Sequence, residues 1–204
     1  MENKPKKSMK KAKYLKSAYF PKDFPVGGVP EIALTGRSNA GKSSLVNACT
    51  GAQLAHVSQA PGKTRLLNFY DLGGYRLVDM PGYGYASRGH SEVEDYRSIV
   101  ENYFSVRADV VCLLLIMDIR RKWSEDEEML KRYAAQIGRP LVVVANKLDK
   151  VNQKERHAHL KALEKSLQGT PYFLISAVEG RGVKELDEAI YRNYVHPYLE
   201  EQKK

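Results

Sequence analysis

From residue 31 onward the apolar positions follow two periods in alternation. Glu31-Ile32-Ala33-Leu34-Thr35 is short, apolar and β-compatible, and Ser43-Ser44-Leu45-Val46-Asn47-Ala48-Cys49 continues as a helix. Leu66 to Leu72 alternates as a strand, Gly73-Gly74 offers a tight turn, and Tyr75 to Asp79 returns, which predicts a hairpin. Ser91 to Arg107 has helical spacing through Val93, Tyr96, Val100, Tyr103 and Phe104. Val110 to Met117 is an unbroken apolar run, the pattern of a parallel strand covered on both faces. Ser124 with Glu127 three residues on is a capping box that opens a helix through Met129, Leu130, Tyr133 and Ile137, and Gly138 ends it. A second buried strand at Leu141 to Ala145 follows, then a helix from about 152 to 167 and a strand at Tyr172 to Ile175. The last helix, roughly Val183 to Leu199, packs through Leu186, Ile190 and Tyr194. Strands alternating with helices in this order predict an α/β fold.

Before residue 31 that regularity is lost. Pro21, Pro25, Gly27, Gly28 and Pro30 read as a linker, so 1–30 is expected to be a basic tail and linker, 31–199 one domain, and 200–204 a solvated end. A length of 204 residues suits one α/β domain with a full core. At 43% hydrophobic and 28% charged, with no apolar run long enough to cross a bilayer, the chain reads as a soluble globular protein and not a membrane one. Cys49 and Cys112 sit in apolar segments without metal-like spacing, so free buried thiols and a cytoplasmic address are expected. The net charge of +9 is concentrated: residues 1–20 hold seven lysines against Glu2. That segment reads either as a contact to RNA phosphates, with Tyr14, Tyr19 and Phe20 able to stack on bases, or as a solubilising end.

The chemistry starts at Gly36-Arg37-Ser38-Asn39-Ala40-Gly41-Lys42-Ser43, which fits G-x-x-x-x-G-K-[ST] between a strand and a helix. In that context backbone N–H groups and the helix N-terminus cradle phosphates, Lys42 reaches the β- and γ-phosphates, and the Ser43 hydroxyl holds a magnesium ion, with Ser44 next in the helix. The polar stretch 51–65 contains Gly62, Lys63 and Thr64, and Thr64 is the natural second magnesium ligand. Asp79-Met80-Pro81-Gly82 fits D-x-x-G, in which the aspartate meets magnesium through water and the glycine N–H senses the γ-phosphate. Asn146-Lys147-Leu148-Asp149 then selects the base, because a carboxylate accepts two hydrogen bonds from guanine and adenine offers neither donor. Ile175, Ser176 and Ala177 are placed to meet the guanine carbonyl. His157 and His159 are two apart on a helix, which favours surface histidines over a metal pair.

Four spaced elements together resemble a TRAFAC-class GTPase domain over about 31–199. The wording of Gly36 to Ser43, Pro61-Gly62-Lys63-Thr64, Leu67-Asn68-Phe69-Tyr70, Asp79 to Ala86 and Asp118-Ile119-Arg120 resembles the EngB family, also called YihA or YsxC, of bacterial ribosome-assembly GTPases. The resemblance implies a P-loop GTPase domain with a six-stranded, mostly parallel sheet carrying one antiparallel strand and helices on both faces. It implies GTP hydrolysis with magnesium, a role in maturing the large ribosomal subunit, and cell cycle and septation as the processes touched. The expected partners are GTP or GDP and a large-subunit precursor or ribosomal RNA, with no membrane, and the chain is expected to be a monomer. Many relatives carry threonine where this chain has Asn146.

Two expectations concern turnover. Switch segments at about 55–65 and 80–92 should be ordered by the γ-phosphate. Tyr83 stands where Ras-like switches carry a water-orienting glutamine, so intrinsic hydrolysis should be slow, on the order of 10⁻³ s⁻¹ or below. Lys42, Thr64 and Gly82 then carry catalysis with Asn39, which resembles the potassium ligand of potassium-activated GTPases. The alternative for Asn39 is a hydrogen bond within the loop. A nucleotide-gated RNA-binding module in which turnover matters little is the rival reading of the whole chain.

Overall fold

The computed structural model describes residues 12–55, 66–83 and 90–204. Seven strands form one sheet: β1 (Lys13–Ala18), β2 (Glu31–Thr35), β3 (Leu67–Asp71), β4 (Arg76–Asp79), β5 (Val110–Asp118), β6 (Leu141–Asn146) and β7 (Tyr172–Leu174). Their spatial order is β1-β3-β4-β2-β5-β6-β7. β4, β2, β5, β6 and β7 pair in parallel, whereas β3 runs antiparallel to both β4 and β1. One strand, β3, therefore opposes the rest, as expected.

The strand number is seven, not six. The additional strand lies where a basic tail was expected, and its lysines disguise it: a strand with one neighbour leaves several side chains in water, so lysine replaces the apolar alternation that marks inner strands. Leu15 and Ala18 still turn into the core. The linker after it is also held, because Phe24 packs against Phe69 and Tyr103 with ring centres 5.5 and 5.8 Å apart.

The helices are α1 (Lys42–Thr50), α2 (His90–Val106), α3 (Glu125–Gln136), α4 (Gln153–Leu167), α5 (Val183–Ile190) and α6 (His196–Glu201). Leu113, Leu115 and Met117 of β5 face one core layer, and Leu114 and Ile116 face the other, so this strand is buried on both sides. Each such side chain contributes roughly 1.5–3 kcal/mol. The single terminal helix expected from 183 to 199 is interrupted by a π-helical turn, Tyr191–Val195. Pro197 supplies the reason: it has no N–H to give the carbonyl four residues back, and its ring crowds that carbonyl.

Cys112 is buried and Cys49 half-buried, and neither is joined in a disulfide. His157 is exposed on α4, and no group of metal-ligating side chains occurs among the described residues. No described helix is long and apolar enough to cross a membrane.

Candidate nucleotide site

The parallel strands deliver the motif residues to one end of the sheet. Gly36 to Ser44 follow β2, Met80 to Gly82 follow Asp79 at the end of β4, Lys147 to Asp149 follow Asn146 at the end of β6, and Ile175 to Ala177 follow β7. This carboxyl edge is where open α/β sheets hold ligands. Gly62, Lys63 and Thr64 lie outside the described residues, as do 56–65 of the first expected switch segment and 84–89 of the second.

Gly41 caps α1 with φ at +101°, a conformation that side-chain-bearing residues rarely adopt. A Cβ on it would stand 2.2 Å from Asn146 Nδ2, so the loop also depends on glycine for close approach. No side chain caps the helix and no acid lies in its first turn, which leaves the first N–H groups and the positive end of the dipole for an anion. Lys42 donates to Gly36 O at 3.1 Å. Burial pushes its ammonium pKa down, opposed by the charge of Asp79.

Asp79 is 4% exposed and accepts from Ser43 Oγ at 3.2 Å through Oδ2. Its other oxygen, Oδ1, is buried with no hydrogen-bond partner, and burial pushes the carboxyl up against the opposing pull of Lys42 and Ser43. An orphaned carboxylate oxygen beside a serine hydroxyl at a phosphate loop fits a hydrated hard cation such as magnesium. Gly82 sits tightly on the loop, where a Cβ would meet Ser38 Oγ at 2.6 Å and Ser38 N and Cα at 2.9 Å. Ser38 N donates to Tyr83 O at 3.1 Å, so the D-x-x-G segment and the phosphate loop are joined edge to edge.

Asn146 ties three loops together. Its Nδ2 donates to Ala40 O at 3.0 Å, and its Oδ1 accepts from Lys147 N at 2.7 Å and Ala177 N at 3.0 Å. Lys147 Nζ donates to Asn39 O at 2.7 Å and lies 3.2 Å from Asp118. Asp149 accepts from Ser176 Oγ at 2.7 Å, a bond that draws its carboxyl down and turns it toward the residues after β7.

Two side chains play parts that the motifs did not indicate. The Arg37 side chain faces α3, with Nη2 donating to Ser124 Oγ at 3.1 Å and Nε to Glu127 Oε1 at 3.2 Å, so only its backbone is left to the cradle. Glu127, expected only as half of a capping box, also accepts from Tyr83 Oη at 3.0 Å. Burial alone would raise its carboxyl, but the bonds from Ser124, Tyr83 and Arg37 lower it. Asp118 takes two bonds from Arg120, at 2.9 and 2.6 Å. Burial again acts upward there, and Arg120 with Lys147 outweighs it, bringing the carboxyl down to about 2. At the start of the first expected switch segment, Asn47 holds Ala55 by both main-chain groups, accepting from its N–H at 2.7 Å and donating to its O at 2.9 Å.

A cavity of about 140 Å³ beside the phosphate loop is lined by Ser38, Asn39, Asp118, Arg120 and Lys147 among others. A larger hollow of about 500 Å³, between α4, β7 and the π-helical turn, contains no motif residue.

The 50S ribosome-binding GTPase family matches residues 31–147. Over 187 residues the chain is 43% identical to the probable GTP-binding protein EngB of Bdellovibrio bacteriovorus, covering 91% of this chain and 94% of that one. The chain belongs to the EngB family. A second member, from Solibacter usitatus, is 43% identical over 88% of this chain and 94% of its own. Among solved structures, Aquifex aeolicus Era bound to GDP and AlF4⁻ is similar at 26% identity and TM-score 0.66, over 81% of this chain and 57% of that one. A crystal structure of a probable GTP-binding protein EngB matches at 26% identity and TM-score 0.59, over 79% and 97% of the two chains. EngB members are P-loop GTPases, and this chain is accordingly a GTP-binding protein that hydrolyses GTP.

Proposed function

We propose that the chain is a GTP-switched factor in assembly of the large ribosomal subunit, acting as a cytoplasmic monomer on a precursor particle. The observation that carries the nucleotide part is the convergence on Asn146, whose side chain bonds the phosphate loop, the N-K-x-D segment and the residues after β7. The match to ribosome-binding GTPases supports the partner.

In this reading the N–H groups of Gly36 to Ser44 and the Lys42 ammonium bind the phosphates, and Asp149, with Ser176 and Ala177, reads guanine. Ser43, Thr64 and Asp79 would hold magnesium, which when bound screens the charge between β- and γ-phosphates. Gly82 senses the γ-phosphate by its N–H. Tyr83 is held by Glu127, and a phenol cannot orient water as a carboxamide does. Turnover is therefore slow, and Asn39, exposed at the loop's crest with φ at +64°, is placed to contribute a carbonyl to a potassium ion.

Sedimentation of purified large-subunit precursors tests the partner. Co-migration is expected with a non-hydrolysable GTP analogue and not with GDP. Co-migration that ignores the nucleotide would instead support the RNA-binding module, and none at all would refute a ribosomal role.

A further inference from the structure

The sheet ends on β1, whose outer edge has no strand partner among the described residues. Lysines blunt such edges, and Lys13 and Lys16, both exposed, serve that purpose here. Blunting leaves the aromatics unexplained. Tyr14 is 45% exposed and Phe20 is 55% exposed. Each ring is braced by a neighbour and open to solvent. Tyr14 leans on Tyr70 at 5.6 Å, Phe20 meets Tyr19 edge-on at 4.8 Å, and Lys22 Nζ stands 5.7 Å over the Phe20 ring. From Tyr14 to Phe20 is ~20 Å of extended chain. Braced rings alternating with ammonium groups are what a protein needs to stack bases and track a phosphate backbone at the same time.

We propose that Lys13 to Lys22, the edge strand and the turn that follows it, form a binding surface for single-stranded RNA. The inference rests on the reading that the chain works on a ribosomal particle, and it places the contact on ordered structure instead of on a tail. A strand from another protein is the competing occupant of an open edge. The register shift between Tyr14 and Lys16 breaks the ladder such a strand would need, and the lysines repel it less than they attract phosphate. Duplex RNA is a poorer fit because its bases are stacked inside and offer no free faces to Tyr14 and Phe20.

The test uses the full chain and fluorescence anisotropy with a labelled, unstructured RNA of about 12 nucleotides and a hairpin duplex of equal charge. Phe20→Ala should weaken single-strand binding by roughly 5- to 100-fold, with duplex binding changed less than about twofold, and Phe20→Trp should restore it. Lys16→Ala should flatten the slope of log affinity against log salt by about 0.7. Because Phe20 and Lys16 lie on the surface, melting temperature and GTP affinity should stay at wild-type values. Absence of single-strand binding by the wild type, an unaffected Phe20→Ala variant, or an equal loss on duplex would each overturn the surface. Binding that follows this pattern in a chain that never sediments with ribosomal particles would refute the assembly role alone. Single-strand binding unaffected by Phe20→Ala in a chain whose sedimentation does follow the nucleotide would refute the surface alone.

Discussion

Asn146→Ala should be among the most damaging single changes outside the hydrophobic core. The side chain is 2% exposed and makes three hydrogen bonds. Truncation strands the carbonyl of Ala40 and the N–H of Ala177, which belong to residues only 4% and 6% exposed. Lys147 is half-buried, so its N–H can turn to water. Two buried groups left unpaired at ~1–3 kcal/mol each amount to about 4 kcal/mol, against a total stability of roughly 5–15 kcal/mol. For a chain of this size each kcal/mol moves the melting temperature by about 2–4 °C, so the nucleotide-free protein should melt about 10 °C lower. Asn146→Thr keeps one hydroxyl that can accept a main-chain N–H, but its shorter side chain does not reach across to Ala40 as the carboxamide does, and about half the loss is expected. Circular dichroism melts of the three proteins without nucleotide measure this. A fall under about 3 °C for the alanine variant, or a threonine variant no better than alanine, would show that these bonds do not hold the loops together.

Asn39→Gly removes the side-chain carbonyl while accepting the positive φ that alanine would strain. Potassium should accelerate GTP hydrolysis over sodium in the wild type and not in this variant, and equal wild-type rates in the two salts at fixed magnesium would refute a potassium site. Asp118 titrates near 2 in the folded chain against an ordinary 3.8. Its folded pKa is the lower one, so its contribution is fully present above about pH 4 and is lost as the pH falls toward 2. Asp118→Asn should therefore flatten the acid limb of stability in that window, measured by urea unfolding; an unchanged limb would mean that Arg120 and Lys147 do not hold the carboxylate in solution.

Most of the sheet and the site's segments could be read from the chain because inner parallel strands and glycine loops leave strong local signals. The apolar run of β5 and the spacing of Gly41, Asp79 and Asn146 needed no knowledge of distant contacts. β1 was hidden since an edge strand has only one side to satisfy and this one carries lysines. The break before α6 was missed although Pro197 stands beside it, and a π-helical turn and an ordinary kink look alike in sequence. Glu127 was legible only as a cap. Its contacts with Arg37 and Tyr83 join residues far apart in the chain, and no local pattern encodes that meeting. The direction of the Arg37 side chain escaped for the same reason.

The one reversed strand means that part of the entropy of assembling the site is met in folding itself. Because β3 runs against β4, Asn68 pairs with Asp79, and the chain entering the hairpin and the chain leaving it emerge on adjacent rungs. Asn47 fixes the other end of the entering segment by clasping Ala55. Ala55 and Asn68 are thus both set in place by folding. The entropy of bringing these two points of the chain together, which grows only slowly with the number of residues between them, is therefore met before any ligand is bound.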